Sequence, residues 1–309
     1  MNKFTKAGFA GLFLSLTAVL ASCGGTSTST TDTAAVTADV YPVTVGDLTL
    51  EAQPVSIISL SPTATEMLYA IGAGSQVVAV DEYSNFPAEA VALGTKLSGF
   101  EPNIEAISSY SPDLVIVSYD PGSLVEQLGT LNIPVFVAGA AMSLENVYEQ
   151  IEQLGVLTGH SQAAIEVSKT LQTGIEEAVA SVKFSEPPLS YYYELDNTYY
   201  SVTSNTFVGQ IFNLFGMRNI ADNVESGNDY PQLSAEVIVS SDPDFIFLAD
   251  TKCCAQDATT VAARDGWGGL KAVTANQVVE LDDDVASRWG PRVLDLITAI
   301  RDAVVAANS

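Results

Sequence analysis

Basic residues and histidine are scarce in this chain of 309 residues. Lysine and arginine together number 12 against 37 aspartates and glutamates, and the formal net charge is -25. Because binding to nucleic acid phosphates requires clustered basic residues, the composition predicts no nucleic acid partner. Acidity of this kind is typical of a solvated, soluble surface and by itself indicates no partner.

The single histidine, His160, limits the enzymatic and metal chemistry open to the chain. A Ser-His-Asp hydrolase would have to use this residue, which lies beside a predicted helix end, and no G-x-S-x-G motif is present. Receptors for zinc or manganese usually place several imidazoles around one ion, which a single histidine cannot do. We therefore predict a protein that is not an enzyme and holds no metal or cofactor, with a secreted hydrolase as the alternative.

Only three cysteines are present, Cys23, Cys253 and Cys254. The last two are adjacent, whereas metal-binding cysteines are usually spaced as C-x-x-C. A disulfide between adjacent residues would strain the intervening peptide. The pair is predicted to lie in a loop, with its role and its redox state left open.

The first 23 residues combine the features of an export signal. Two lysines precede an apolar stretch over residues 9–20, which ends in L-A-S-C at Cys23. A membrane-spanning anchor is the alternative, but this stretch is shorter than the roughly 20 apolar residues that a spanning helix needs. Ser22 before the cysteine resembles the cleavage site of bacterial lipoproteins. Residues 1–23 are therefore predicted to be a signal peptide with a lipobox, and lipid on Cys23 would anchor the protein to the extracytoplasmic face of the cell membrane.

A segment of Ser, Thr, Gly and Ala follows the predicted lipidation site. Residues 24–38 contain too few large apolar side chains to offset the cost of ordering the chain. Residues 24–38 are accordingly predicted to be a disordered tether, and residues 24–53 together are the Ser/Thr-rich tether and the lead-in to the first lobe. An ordinary N-terminus has a similar composition, and a surface adhesion protein would share the anchor without needing a ligand cleft.

From residue 54 onward, short apolar runs alternate with longer helical stretches. This pattern is typical of α/β layers around mainly parallel sheets. The predicted strands cover 55–59, 77–81, 114–118, 135–138, 190–194, 245–249 and 278–281. The predicted helices cover 63–71, 101–110, 124–131 and 144–157.

A longer helix is predicted over residues 162–182, which contain no proline and space their apolar residues at near-helical intervals. At 1.5 Å per residue it would be about 30 Å long. Gly159 precedes it and two prolines at 187 and 188 follow it, as expected at helix ends. The predicted organisation is an N-terminal lobe, a connecting helix and a C-terminal lobe, over 54–160, 161–186 and 187–309.

An internal repeat supports two lobes of similar design. The sequence N-I-E-A-I precedes S-P-D-L-V-I in the first half, and S-A-E-V-I precedes D-P-D-F-I-F in the second. Glu105 and Glu236 each lie seven positions before the proline of their copy. Each copy predicts a short helix, a Pro-Asp break and a buried strand. The alternative is that this order is simply common in α/β proteins.

Several motifs along the chain resemble those of one family. They are I-I-S-L-S-P-T-A-T-E at 57–66, Y-S-N-F-P at 83–87, N-I-E at 103–105, S-P-D-L-V at 111–115 and R-W-G-P-R at 288–292. With Trp267 and Leu270, they resemble the cobalamin and ferric-siderophore binding proteins of ABC importers. The resemblance extends from about residue 54 onward. It implies the class III periplasmic binding protein fold, which is α/β with two Rossmann-like lobes joined by a single long helix and with ligand held in the cleft between them.

The resemblance also implies partners and roles for individual residues. Glu105 and Glu236 match surface glutamates that dock the two lobes onto arginines of the permease, which works with an ATPase subunit. The alternative for each is a charge that complements the helix dipole, which is the role we expect of Glu66. Tyr83 and Arg288 match ligand-binding positions in the cleft. Weaker candidates in neighbouring loops, which are otherwise core aromatics, are Phe86, Phe100, Tyr119 and Trp289.

The identity of the ligand is predicted from the chemistry of the cleft. A corrin ring needs apolar and aromatic faces with a few polar groups at its edge. The loop over residues 98–102 differs from the better-known cobalamin binder, since it contains no tryptophan to stack on the corrin. Ferric siderophores favour clefts rich in arginine, and the chain has few arginines. Cobalamin or a related corrinoid is therefore predicted, with a ferric siderophore, or haem held by a tyrosine, as the alternative.

Overall fold

Two four-stranded parallel sheets organise residues 39–308, which are the residues that this computed structural model describes. The strands are β1 (Val43–Val45), β2 (Leu48–Leu50), β3 (Ile57–Leu60), β4 (Val77–Val80), β5 (Leu114–Val117), β6 (Val135–Val137), β7 (Ser190–Glu194), β8 (Arg218–Asn219), β9 (Phe245–Leu248) and β10 (Val278–Glu280). The α-helices are α1 (Pro62–Ala70), α2 (Ala88–Val91), α3 (Ile104–Ser109), α4 (Leu124–Gly129), α5 (Leu144–Thr158), α6 (Ser161–Ala180), α7 (Phe207–Asn213), α8 (Ala235–Ser241), α9 (Ala258–Ala262), α10 (Lys271–Thr274), α11 (Asp283–Ala286) and α12 (Val293–Ala307).

Both sheets have the same strand order. The first is ordered β4-β3-β5-β6 and the second β8-β7-β9-β10, so in each lobe the first strand lies between the second and the third. Neighbouring strands within each sheet are parallel. All four residues of β5 and all four of β9 are buried, as expected where helices cover both faces of a parallel sheet. The predicted fold class, two Rossmann-like α/β lobes, is confirmed.

The internal repeat of the sequence has a structural counterpart in the way each third strand begins. Asp113, just before β5, accepts hydrogen bonds on Oδ2 from the backbone N–H groups of Val55 and Ser56, at 2.9 and 3.0 Å. Asp244, just before β9, accepts in the same way from the backbone N–H of Ser190 at 2.8 Å. Each aspartate thus ties the start of the third strand to the start of the first. The Pro-Asp break is part of how each sheet is assembled.

A continuous hydrophobic core connects the two lobes. It extends from β3 and β5 across α5, α6 and α12 to β7 and β9. Helix α6 is the predicted long helix, with bounds at Ser161 and Ala180. It packs closely on α5, since a Cβ added at Gly155 would lie 2.4 Å from the Cβ of Ala164. A close-packed core shared by both lobes favours small relative movements between them.

The ends of several elements differ from the prediction for local reasons. Strand β3 begins at Ile57 rather than at residue 55, because the N–H of Val55 is bound by Asp113 and not by a neighbouring strand. Helix α3 begins at Ile104 rather than at 101, because the side chain of Asn103 caps it by accepting from the N–H of Ala106 at 2.9 Å. Strand β7 matches the predicted bounds.

The lead-in contains one element that was not predicted from the sequence, at residues 43–50. Strands β1 and β2 form an antiparallel hairpin there, with Gly46 in the left-handed region at the turn. The hydroxyl of Tyr41, just before the hairpin, donates to the carbonyl of Leu157 in α5 at 3.0 Å. The alternating V-T-V and L-T-L around Gly-Asp was a readable hairpin signal. The short strand β8 was also not predicted.

The predicted signal peptide, Cys23 and the tether up to residue 38 lie outside the described residues. Within residues 39–308, no helix combines the length and the apolar character needed to cross a membrane.

Candidate ligand-binding cleft

Loops from both lobes meet where β6, β7 and β9 end. In open α/β sheets, this carboxyl edge of the strands is where ligands bind. A cavity of about 410 Å³ lies there, within the size range of small-molecule sites. Ala140 and Ala141 contribute one wall from the first lobe, and Tyr193, Leu195 and Ala249 contribute another from the ends of β7 and β9.

The walls of this inter-lobe cavity are mainly apolar, with a few polar groups. Tyr230 reaches it from the loop before α8 and is 57% exposed. The hydroxyl of Tyr193 donates to the carbonyl of Ala286 at 3.2 Å, and burial raises the pKa of this tyrosine, so the phenol stays protonated. The remaining lining residues are Val202, Thr206, Phe207, Val208, Cys253, Asp283, Ala286, Ser287, Arg288, Trp289 and Leu296.

A smaller, aromatic cavity of about 240 Å³ lies at the carboxyl ends of β3, β4 and β5. The Tyr83 and Phe100 rings meet edge to face at 5.6 Å between centroids, and the Phe100 and Tyr119 rings are tilted at 6.4 Å. All three side chains are exposed, which leaves their faces free for a ligand. Gly99 crosses the end of β3 so closely that an added Cβ would lie 2.8 Å from the carbonyl oxygen of Leu60.

Arg288 connects the two cavities. It borders the larger one, and its Nη2 donates to the carbonyl of Tyr83 at 3.0 Å beside the smaller one. Its other partners are the side chains of Glu66, Asn85 and Asp284, at 2.7 to 2.9 Å. The guanidinium is therefore already engaged with protein groups on the side that faces the first lobe.

Glu66 does not have the helix-dipole role that we expected. It lies beyond the first turn of α1, it is 3% exposed, and it accepts hydrogen bonds from both Arg288 and Arg292. The expectation was wrong because the two arginines are more than 220 positions away in the chain, and local sequence carries no trace of them. Arg292 also lies over the ring of Phe86, with its Cζ 4.4 Å from the centroid.

The predicted cleft residues thus fall into three places. Tyr83, Phe100 and Tyr119 surround the aromatic cavity. Arg288 and Trp289 border the larger cavity, and the indole N–H of Trp289 donates to Gln150 Oε1 at 3.1 Å. Phe86 lines neither of these two cavities and packs under Arg292 instead.

Apart from Arg288 and Trp289, the second-lobe wall of the cleft was not predicted from the sequence. Tyr193, Leu195, Ala249 and Tyr230 line the larger cavity, yet none was a candidate. A usable signal existed for three of them, because residues at or just after the ends of β7 and β9 lie on the ligand-binding edge of a parallel sheet. Tyr230 had no such signal, since it lies on a long loop.

Glu105 and Glu236 occupy equivalent places in the two lobes. Each is exposed and lies in the first turn of its helix, α3 or α8. Each helix has a polar N-cap, Asn103 in one and Ser234 in the other, whose side chain accepts a backbone N–H. Hydrogen bonds from its own backbone N–H and from Ser234 lower the pKa of Glu236, so this carboxylate stays ionised.

Cys253 and Cys254 lie in the predicted loop, after β9, and both are free thiols. Asp283 holds this loop by accepting from the N–H groups of Lys252 and Cys253. No group of three or more His, Cys, Asp or Glu side chains among residues 39–308 is arranged to hold a metal ion. The ring of His160 lies at the junction of α5 and α6, with its Nδ1 2.9 Å from the carbonyl oxygen of Thr158.

A buried ionic cluster lies under the same loop, near the ends of β7 and β9. Arg264 forms a two-pronged pair with Glu194, which is fully buried, at 2.6 and 2.7 Å. Asp250 is also fully buried, and its carboxylate oxygens have no hydrogen-bond partner among the donors of the described residues. Burial and the neighbouring Glu194 raise the pKa of Asp250 to about 7. Arg264 in turn stacks over Trp267 at 4.5 Å.

Two α/β lobes of identical strand order, with cavities at the carboxyl ends of their strands, define a two-lobe solute-binding protein. Residues 57–285 match the model of the family described as periplasmic binding protein, and the chain belongs to this family.

The similar proteins include both sequences and solved structures. The chain is 28% identical over 312 residues, covering 97% of each chain, to an uncharacterized ABC transporter substrate-binding lipoprotein, YvrC, of Bacillus subtilis. It is 29% identical to a cobalamin-binding protein of Halobacterium salinarum, over 85% of this chain and 74% of that one. The crystal structure of the periplasmic vitamin B12 binding protein BtuF of Vibrio cholerae superposes with a TM-score of 0.69 at 27% identity, over 83% of this chain and 98% of that one. The predicted resemblance to a binding-protein family is confirmed.

Proposed function

We propose that this protein is the substrate-binding lipoprotein of an ABC importer and that it captures cobalamin or a related corrinoid outside the cell. The observation that carries this proposal is the exposed aromatic cluster of Tyr83, Phe100 and Tyr119 beside a mainly apolar inter-lobe cavity. Flat ring faces of this kind suit a large ligand with apolar faces. The names of similar proteins, which include cobalamin and vitamin B12 binders, support the same class of ligand.

The charges of the cleft favour a corrinoid over an anionic ferric siderophore. A siderophore site would need arginines that are free to bind the anionic chelating groups. Arg264, Arg288 and Arg292 are all engaged by carboxylates that are at most 2% exposed. A siderophore would have to compete with these buried pairs for each guanidinium. Haem is the second candidate, because Tyr83 and Tyr119 present exposed phenols that could coordinate iron.

Purified protein lacking residues 1–23 is expected to bind cobalamin with submillimolar affinity in calorimetry. The Phe100→Ala variant should bind roughly tenfold more weakly, a loss of about 1.4 kcal/mol, because it removes the central ring of the cluster. Phe184→Ala is the matched control, since Phe184 is similarly exposed but lines neither cleft cavity. Haem and a panel of ferric siderophores are titrated in parallel. Binding of a siderophore alone would reassign the ligand, and binding of none of these compounds would contradict the proposal.

Lipid attachment at Cys23 anchors the protein to the membrane in this proposal. Cys23→Ser is expected to abolish incorporation of a labelled fatty acid and to release the protein from the membrane fraction, because serine offers no thiol for the diacylglycerol. Cys253→Ser should remain labelled and serves as the control for cysteine replacement. Fatty acid label retained on the Cys23→Ser protein would exclude this anchor.

A further inference from the structure

Glu66 connects the two lobes through two arginines. Its Oε1 accepts from Arg288 Nη1 at 2.7 Å and from Arg292 Nη2 at 2.6 Å, and its Oε2 accepts from Arg292 Nε at 2.8 Å. The Glu66 side chain is 2% exposed, and the two arginine side chains are 9% and 19% exposed. Glu66 lies on α1 beside the first sheet, whereas the arginines lie between α11 and α12, after the last strand of the second. Little water screens these pairs, so they are stronger than surface ion pairs.

Both arginines that bind Glu66 also contact the loop that carries Tyr83. Arg288 donates to the carbonyl of Tyr83 at 3.0 Å and to Asn85 Oδ1 at 2.9 Å. Asn85 in turn donates to Asp284 Oδ2 at 3.1 Å, which closes a ring of polar contacts between the lobes. Arg292 covers the Phe86 ring. The loop over residues 83–86 is therefore held from the opposite lobe, and Glu66 orients both side chains that hold it.

The charge balance of this network makes Glu66 its central member. Arg288 has a second carboxylate partner in Asp284, at 2.8 Å, but Glu66 is the carboxylate that pairs with Arg292 among the described residues. Removing the Glu66 charge would leave Arg292 largely buried without an anion, which is costly in a poorly hydrated site. The arginine would then turn towards solvent and leave Phe86. Replacing Glu66 on α1 would in this way displace Tyr83 at the cleft, although Glu66 itself does not contact the ligand.

We propose that Glu66 is a positioning residue for the cleft, which restrains the separation of the two lobes and holds the Tyr83 loop in place through Arg288 and Arg292. The restraint on the lobes is independent of the ligand. The effect on ligand binding rests on the proposed function, that is, on a corrinoid bound against Tyr83.

The restraint is tested without ligand by measuring the distance between the lobes. Spin labels are placed on cysteines introduced at Ser109 of α3 and Ser240 of α8, both exposed, in a protein in which Cys253 and Cys254 are serines and residues 1–23 are absent. Pulsed electron paramagnetic resonance should give a narrow distribution for the parent and a distribution that is broader or shifted to longer distances for Glu66→Gln. An unchanged distribution overturns the restraint.

The effect on the cleft is tested by the rate of ligand release. Stopped-flow release of cobalamin should be about tenfold faster from Glu66→Gln, with a much smaller change in the association rate constant. Glu89→Gln, an exposed glutamate in the first turn of α2, is the matched control and should match the parent. An unchanged release rate in a protein that binds cobalamin overturns the positioning of Tyr83. If the parent itself binds no corrinoid, the proposed function fails, while the spin-label distances still decide the restraint.

A second variant separates positioning from simple loss of stability. Arg292→Lys keeps the charge but cannot reproduce the two-pronged contact with Glu66 or cover Phe86 in the same way. It should fold, as checked by circular dichroism at the temperature of the rate measurement, and should show an intermediate increase in release rate. The proposal would be overturned if destabilised variants outside this network released cobalamin as fast as network variants of the same melting temperature.

Discussion

Replacing Glu105 and Glu236 together with alanine is expected to lower ligand uptake through a reconstituted importer by roughly 100-fold or more, if each docking contact contributes about 1.5–3 kcal/mol. Folding and ligand affinity should stay nearly unchanged, because both side chains are exposed and lie away from the residues that line the two cleft cavities. The expectation rests on the equivalent placement of the two carboxylates in the first turns of α3 and α8. Two charges presented symmetrically would select a two-fold symmetric, arginine-bearing permease.

A matched control separates docking from the helix-dipole alternative. Glu126 and Asp295 are also exposed acids in the first turns of their helices, α4 and α12. Under the helix-dipole alternative, either double alanine variant should lose about 1–2 kcal/mol at most and transport normally. If Glu105 and Glu236 dock the permease, only the double variant at these two positions should lose uptake. Uptake in proteoliposomes, melting temperature and ligand affinity are measured for both double variants, and normal uptake by the first would remove these two residues from the interface.

Much of this fold was readable because its signals are local. Strands β5 and β9 are short, continuous apolar runs, and the Pro-Asp break before each of them marks the same step in both lobes. The long helix α6 was predicted to within two residues at each end from its proline-free, near-helical spacing. Helix starts were misplaced where one side chain decides them, as Asn103 does for α3.

The candidate cleft was only half predictable, for a different reason. Tyr83, Phe100 and Tyr119 lie on loops directly after strands of the first lobe or just before α3, and motif resemblance located them. In the second lobe, the resemblance located Arg288 and Trp289, and the ends of β7 and β9 marked further wall positions. Which of these residues face the first lobe, and the place of Tyr230, depend on how the lobes face each other, which no local pattern encodes. The same holds for Glu66, whose partners Arg288 and Arg292 are 222 and 226 residues away.

The buried cluster of Glu194, Asp250 and Arg264 contains two carboxylates and one cation. Arg264 is the cation that compensates them, and it pairs directly with Glu194. Asp250 depends on the same arginine, whose charge lowers its pKa against the larger effects of burial and of Glu194. The cluster lies under the loop on which Cys253 lines the larger cavity, so loss of the cluster should change the shape of that cavity.

Arg264→Met is therefore expected to destabilise the protein by about 3–5 kcal/mol at pH 8, because it leaves a buried carboxylate pair without its cation. The loss should be smaller at pH 5. Asp250 has a folded pKa of about 7, above its ordinary value of 3.8, so the stability that its protonation contributes is fully present below about pH 4 and is lost as the pH rises through 7. Removing Arg264 raises the pKa of Asp250 further, so the variant keeps losing stability at pH values above 7, where the parent no longer does. The difference in free energy of unfolding between variant and parent should therefore grow between pH 5 and pH 8.

Chemical denaturation at pH 5, 6, 7 and 8 measures this dependence, and two controls define its origin. Arg301→Met removes an arginine that pairs with the exposed Asp302 on the surface of α12, and it should cost less than about 1 kcal/mol at every pH. Adding Asp250→Asn to Arg264→Met should flatten the pH dependence, since asparagine resembles the protonated acid and cannot ionise. A loss of stability in Arg264→Met that is the same at pH 5 and pH 8 would mean that the arginine contributes by stacking on Trp267 and not by balancing the buried charges.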